Sequence, residues 1–489
     1  MTESLKSKTI SGLFWSFTGN SANLGISFVV GIILARLLSP QEFGLIGMLT
    51  IFIAVSQSFI NSGFSQALIR KTDPSQADYS TVFYFNMIIG VVCFLILFFC
   101  AGLISRFFNE PQLRLLVQVL GFSLIINAFT LIQRTILTKR IDFKLQTKIS
   151  FISSVVSGII GIGMAYAGYG VWSLVIKMIA MNIIAAILLW LWNRWRPILT
   201  FSVKSFRELY SFGFNLLVSG LIDTIYNNIY YLIIGKYFSA QELGYYTRAD
   251  TFNTLPSTNL TQVIQRVSYP VLSSIKEDTP KLKEAYKKLI KSTMLICFVI
   301  MLGMVAIARP MILTLIGEKW EPSIIYLQML CFVGMFYPLH ALNLNMLQVQ
   351  GRSDLFLRLE IIKKVLAVPV IIIGILWGIK PMIISMIVHA TVSYYLDSYW
   401  SGRFIGYSSL EQIRDILPSF LLAVSVSAVV YVEGHLIPLP PLPLLVIQLI
   451  TGALLTISIC EGFHIKDYMF IKEIVKNKFL QHTHSLWKN

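Results

Sequence analysis

The sequence predicts an all-α polytopic membrane protein: about 14 transmembrane helices, arranged as two parallel-repeat six-helix lobes around a central cavity, plus a C-terminal helix pair. Three observations predict it. Hydrophobic residues make up 55% of the 489 and charged ones only 13%, with a mean hydropathy of +0.71, too little charge to cover a soluble surface. Apolar runs long enough to cross a bilayer, about 20 residues each, recur along the whole chain. Finally, LARLLSPQEFG at 34–44 returns as IGKYFSAQELG at 234–244, so that Ser39, Gln41, Glu42 and Gly44 recur as Ser239, Gln241, Glu242 and Gly244, and Arg36 as Lys236.

Each copy of that motif closes one apolar segment and opens another, as the turn of a membrane hairpin does. A second pair follows in the same order, Arg140-Ile141-Asp142 and Arg352-Ser353-Asp354, at an offset of 212 residues against 200 for the first. One short loop can match by chance; two in order argue for related halves. In a membrane protein, such halves point to a transporter with its site between them.

Taken in order, the spans lie near 12–34, 44–67, 80–104, 113–132, 149–168, 170–192, 211–234, 245–270, 290–309, 323–347, 357–377, 379–400, 416–432 and 441–460. Polar residues and prolines interrupt the eighth and tenth. No cleavable signal peptide is read in Met1 to Lys8, so the first span is retained. With the N-terminus inside, 30 of the 40 Lys and Arg fall on cytoplasmic segments and 8 outside, with Lys177 and Arg266 within spans. That bias places both termini in the cytoplasm.

The resulting organisation is an N-terminal lobe (1–196), a cytoplasmic interfacial linker (197–210), a C-terminal lobe (211–402), an extra helix pair (403–465) and a basic tail (466–489). Six spans per lobe give both halves the same orientation, hence an axis along the membrane normal. The stretch 278–291, opened by Thr279 and Pro280, reads as a basic surface helix leading into the ninth span. IPLPPLP at 437–443 is a short outer turn.

The net charge of +16 is the positive-inside signal and does not point to nucleic acid. The cysteines (Cys93, Cys100, Cys297, Cys331, Cys460) sit in apolar segments without metal-ligand spacing and read as core residues. Gly158, Gly161 and Gly163 mark close helix packing. No nucleotide-binding loop or metal-protease motif is present, His482-Thr483-His484 is too isolated for a metal site, and the chain reads as a non-enzyme without cofactor.

Ionisable groups within a bilayer normally face a protein interior or a wet cavity. Span seven carries Ser219, Asp223, Asn227 and Tyr230 on one helical stripe, and span one carries Ser16, Asn20, Asn23 and Ser27 on another. Both are either polar contacts between packed helices or a cavity lining. Span two adds Gln57, Asn61, Ser65 and Gln66. Span eight adds Arg248, Asp250, Asn253, Thr261, Gln262, Gln265 and Arg266. Arg266 suits a phosphate group, because guanidinium binds its oxygens as a fork. Asp223 and Asp250 are the candidate coupling acids. Lys177, Lys363 and Lys364 are weaker candidates, Arg358 and Glu360 read as local pairing at the interface, and His340 and His389 as packing residues rather than a proton relay.

LARLLSPQEFGLIGMLTIF (34–52), SGFSQALIRK (62–71), ELGYYTRADTFNTLP (242–256) and QRVSYPVLSSI (265–275) resemble the multidrug/oligosaccharidyl-lipid/polysaccharide exporter superfamily. Within it, the chain is similar to bacterial flippases of the colanic-acid and teichuronic-acid exporter kind. The resemblance covers nearly the whole chain. It implies two six-helix lobes around a cavity lined by helices one, two, seven and eight. It implies flipping of undecaprenyl-pyrophosphate-linked oligosaccharide repeat units to the outer leaflet by alternating access, in the bacterial inner membrane. The implied partners are that lipid-linked oligosaccharide, membrane lipids and a Na+ or H+ coupling ion, with the protein a monomer. Arg266 and Arg248 are its main basic lumen candidates. A cation-coupled multidrug or small-metabolite antiporter is the alternative; a glycan polymerase or acyltransferase would need a sizeable outer loop, and the loops here are short.

Overall fold

The computed structural model describes the backbone of residues 2–61 and 63–473; the side chains at 2–14, 16, 17, 20, 211, 212, 215 and 267 are outside that description. The expectations for Ser16, Asn20 and His482 to His484 therefore lie outside the described residues.

Among the described residues there are seventeen α-helices, one short 3-10 turn and no strand. In bilayer hydrocarbon only a helix or a closed barrel satisfies every backbone group, so this is the form that the apolar runs dictate. The helices group into fourteen lengths: α1 (Thr2–Leu37); α2 (Pro40–Asn61) with α3 (Phe64–Arg70); α4 (Gln76–Phe108); α5 (Leu113–Lys139); α6 (Phe143–Tyr166); α7 (Trp172–Trp192); α8 (Val203–Tyr237); α9 (Ala240–Ser274); α10 (Thr279–Leu315); α11 (Ser323–Gly334) with α12 (Tyr337–Val349); α13 (Ser353–Leu366) with α14 (Val368–Trp377); α15 (Ile379–Ile405); α16 (Ser409–Leu436); and α17 (Pro441–Gly462). Eleven of the fourteen are long and apolar enough to cross a membrane. Of α1 the described stretch Ser21–Leu37 is apolar but shorter than a span, α9 is too polar, and α13–α14 is interrupted at Ala367. Pro369 explains that interruption, since it has no N–H for the carbonyl one turn back.

Several hydroxyls of α9 are satisfied within the helix. Thr251, Ser257 and Thr261 donate to the carbonyls of Thr247, Asn253 and Ser257 one turn earlier, at 2.7–2.9 Å. Two helices begin well before their expected spans. The stretch 278–291 is no separate surface helix: it is the first third of α10, capped by Asp278, whose carboxylate accepts from Lys281 N–H at 3.1 Å. Likewise half of the expected linker is helix, because α8 starts at Val203, capped by Ser202. Of the three glycines read as close packing, Gly158 and Gly161 meet Val30 and Lys177, while Gly163 has open space around it.

The chain divides into two compact units, Met1–Gly244 and Tyr245–Asn489. In the first, α1 packs on α6, α6 on α7, α5 on α4 and α7, and α2 on α5 and α8. Phe64, Phe83, Ile132 and Trp195 share its core. In the second, α10 packs on α11, α16 and α17, and α15 on α12 and α14.

The repeated hairpin has a local explanation. Ser39 Oγ accepts from Glu42 N–H at 3.4 Å while Ser39 N–H donates to the Glu42 carboxylate at 2.6 Å, a capping box at the start of α2. Ser239 Oγ accepts from Glu242 N–H at 3.1 Å in the other copy. The glycines then bring backbones together. A Cβ on Gly44 would lie 1.6 Å from the Ala240 carbonyl oxygen, and one on Gly244 would lie 1.9 Å from that of Pro40. The contact is reciprocal.

The second repeated loop is genuine but two residues out of the register its letters suggest. Ile141 and Gly351 both have positive φ, 58° and 72°. Ile141 N–H donates to Thr138 O and Asp142 N–H to Leu137 O, as Gly351 N–H does to Gln348 O and Arg352 N–H to Leu347 O. This is one Schellman helix end used twice, at an offset of 210, so Asp142 corresponds to Arg352. Asp142 caps α6, whereas Arg352 pairs with Asp354 at 2.7–2.9 Å, which holds the Asp354 carboxyl down at about 2.

Gly44→Ala and Gly244→Ala are expected to abolish folded protein or lower its thermal midpoint in detergent strongly. Gly25→Ala, with nothing within 4 Å, should be neutral or stabilising by up to about 1 kcal/mol. Equal midpoints for Gly44→Ala and Gly25→Ala would refute the backbone contact.

Candidate functional site

The helices of the first unit border a half-open hollow of about 290 Å³, lined by Gln57, Ile60, Asn61, Asn127, Thr130, Leu131, Arg134 and Asn182. Its shape follows from helical periodicity. Gln57, Ile60 and Asn61 stand at i, i+3 and i+4 on α2, and Asn127, Thr130, Leu131 and Arg134 at i, i+3, i+4 and i+7 on α5. Each helix turns one stripe inward, and α7 adds Asn182. The volume is room for roughly ten waters.

Arg134 is the one charged residue of the lining, and its exposed surface faces the hollow. Among the described residues it has no carboxylate partner. A guanidinium in a span costs about 2.5–3.5 kcal/mol at mid-membrane unless water or an anion meets it. Hydropathy ends span four near 132, which leaves Arg134 beyond it on the cytoplasmic side. Helix α5 runs on to Lys139 and makes it part of the wall instead.

The wall is braced from outside. Gln133, one residue before Arg134, donates to Trp195 O at 3.2 Å, and Asn193 donates back to Gln133 O at 3.3 Å. Thr135 Oγ1 donates to Ser65 Oγ at 3.1 Å. Lys139 donates to the last carbonyls of α3, Leu68 at 3.1 Å and Ile69 at 3.2 Å, a cation at a helix C-terminus. Outside the spans, Lys71 bridges Asp78 at 3.0 Å and Glu208 at 3.1 Å, and these partners raise its pKa against the opposing effect of burial.

Of the residues expected to line a cavity, Gln57 and Asn61 stand in this hollow, and Asn23, Ser27, Asp223 and Asn227 do not. Asn23 Oδ1 accepts from Ser154 Oγ at 3.3 Å, a contact between α1 and α6. Ser27, Asp223 and Asn227 are exposed; beside the last two, Thr224 shares a 2.8 Å hydrogen bond with Ser58 that ties α8 to α2. In the second unit, Gln262 and Arg266 are exposed on α9 and Arg248 and Asp250 half-buried. Thr254 Oγ1 donates to Asp250 Oδ1 at 3.3 Å. Asn127, Thr130, Arg134 and Asn182 were missed; the polar stripe on span four was the signal that could have found three of them.

The second unit carries a different arrangement of charge. Lys363, one of the weaker candidates, is buried, and its amine meets Glu360 at 2.6 Å and Asp397 at 3.1 Å. His340, expected as a packing residue, bonds the same Asp397 at 3.0 Å.

A family model described as a polysaccharide biosynthesis protein matches residues 33–325. The teichuronic acid biosynthesis protein TuaB of Bacillus subtilis (strain 168) is 27% identical over 355 residues, 72% of this chain and 73% of that protein. The lipopolysaccharide biosynthesis protein WzxC of Escherichia coli (strain K12) is 26% identical over 378 residues, 76% of each chain. The succinoglycan biosynthesis transport protein ExoT of Rhizobium meliloti (strain 1021) is 24% identical over 321 residues, 65% of each. Among solved structures, the inward closed form of the lipid II flippase MurJ covers 94% of this chain and 100% of its own at a TM-score of 0.74 and 15% identity. An inward-facing multidrug transporter of the multidrug/oligosaccharidyl-lipid/polysaccharide superfamily covers 79% and 94% at 0.61 and 15%. These two likenesses establish the fold.

In a variant lacking the five native cysteines, Asn61→Cys and Asn182→Cys should react with a small water-soluble maleimide. Ile132→Cys, on the buried face of α5, should not. Equal reactivity at all three would show that the hollow is not wet.

Proposed function

The chain belongs to the polysaccharide biosynthesis protein family, and from that membership we propose that it is a flippase for lipid-linked oligosaccharide repeat units in surface polysaccharide biosynthesis. The observation that carries the reading is the hollow of the first unit. It offers amide and hydroxyl groups of the kind that hydrogen-bond sugar hydroxyls, together with one guanidinium that has no carboxylate partner among the described residues. That pairing matches a headgroup made of a glycan on an anionic phosphate. Arg134 meets phosphate oxygens as a fork, and the neighbouring Asn127, Asn61 and Gln57 take hydroxyls. The lipid tail needs no site, since the bilayer solvates it.

The substrate is undecaprenyl-pyrophosphate-linked and travels from the cytoplasmic to the outer leaflet of the bacterial inner membrane by alternating access. The protein works as a monomer with both termini in the cytoplasm. Arg248 and Arg266 of the second unit are further candidate cations for the headgroup, and Asp223 and Asp250 candidate coupling acids. A membrane protein with these features is a carrier, with no chemical step to perform.

The test is a deletion strain complemented with variants, scored for surface polysaccharide and for lipid-linked intermediates held on the cytoplasmic side. Deletion should trap intermediates. Arg134→Ala should reduce export about tenfold to a hundredfold, the worth of a charge-assisted hydrogen bond, and Arg134→Lys should fall between. Unchanged glycan and intermediates on deletion would overturn the proposal and direct attention to efflux of small cations.

A further inference from the structure

Away from the hollow, the second unit buries a cluster of charge that the proposed headgroup site does not use. Asp397 on α15 has a wholly buried side chain. Its Oδ2 accepts from Lys363 Nζ at 3.1 Å and lies 3.0 Å from His340 Nδ1. Its Oδ1 is buried without a hydrogen-bond partner. Lys363 also pairs with Glu360 at 2.6 Å, and His389 Nε2 donates to the Lys363 carbonyl oxygen at 2.9 Å.

The charges do not balance. With neutral imidazoles, the wholly buried Asp397 shares the single positive charge of Lys363 with the partly exposed Glu360, so the buried carboxylate is only partly compensated, which is costly in a low-dielectric interior. One added proton balances the set. His340 is placed to take it: its Nδ1–H faces Asp397, which leaves Nε2 with an open lone pair, and its side chain is 19% exposed where that of Asp397 is 0%.

We propose that His340, Asp397 and Lys363 form a proton-binding site that couples proton movement to transport. The coupling half rests on the flippase reading; the proton binding stands without it. A proton adds to Nε2 of neutral His340 and gives an imidazolium whose Nδ1–H still donates to Asp397, and release reverses the step. The remaining groups around Asp397 are Glu360 from α13, Tyr286 from α10, and His389 and Tyr394 on α15 itself; α16 brings Gln412 and Ser409, which do not titrate, and α11 and α14 carry no charged side chain.

The site also has something to move. His340 stands in the first turn of α12, just past the interruption after α11, and Lys363 in the last turn of α13, just before the interruption at Ala367. Both partners of Asp397 therefore ride on broken helices, while α15 is continuous from Ile379 to Ile405. A change in the charge of His340 alters the attraction that holds two helix breaks to one unbroken helix.

The test has two arms. Full-length protein carrying 15N-labelled histidine, in lipid nanodiscs, is titrated through the histidine range, with His340→Gln assigning the His340 signal. Asp397→Asn should lower the proton affinity of His340 and Lys363→Met should raise it, each by about tenfold, because they remove opposite charges. A merely structural role would not give opposite signs. In the complemented deletion strain, folded Asp397→Asn and His340→Gln should lose most surface polysaccharide, and Lys363→Arg should retain it. Should Asp397→Asn fail to fold, Asp397→Glu takes its place in the export arm, and Lys363→Met alone decides the titration. A His340 signal that ignores the charge substitutions, or folded variants that export normally, would overturn the proposal. If deletion itself leaves surface polysaccharide unchanged, the flippase reading fails, while the titration still decides whether the proton site exists.

Discussion

A polar side chain in bilayer hydrocarbon has no water to turn to, and the layout of this protein follows from how each such group is satisfied. On α9 the hydroxyls bond to carbonyls one turn back in their own helix, so a segment too polar for a conventional span still holds together. Between α1 and α6, Asn23 and Ser154 satisfy each other. Around α2, α5 and α7 the amides open onto a hollow that can hold water.

Charge divides the two units more sharply. Arg134 in the first unit has no carboxylate partner among the described residues and lines open volume, an arrangement suited to an anion that comes and goes. Lys363 in the second unit has two carboxylates and lies almost wholly buried, an arrangement closed to any large ligand. The smallest ligand of all, a proton, is what such a site can still exchange. In the proposal, the open guanidinium serves an anionic headgroup and the buried cluster a proton, since one requires room and the other requires its absence.

Close approach of backbones sets the remaining geometry. Gly44 and Gly244 let the first turns of two repeated helices touch carbonyl to α-carbon, which any side chain would prevent. The repeated serine and glutamate beside them cap those same turns. Much of the internal repeat therefore reflects what a tight helix start demands rather than substrate chemistry.

By itself, the sequence determined the helical class, the span positions and the hairpin repeat. Hydropathy over some 20 residues and the signature of a capping box are local properties, readable without knowing what lies nearby. It also marked Gln57 and Asn61 as polar residues that needed a setting. Only the tertiary structure decided which stripes face one another. Arg134 looked like a loop cation because its partners, Asn61 and Asn182, are 73 and 48 positions away in the chain. His340 looked like a packing residue because Asp397, which gives its ring a role, is 57 residues on. The register of the second loop was settled by backbone conformation as well, since a Schellman helix end fixes hydrogen bonds and φ while leaving the letters free to drift.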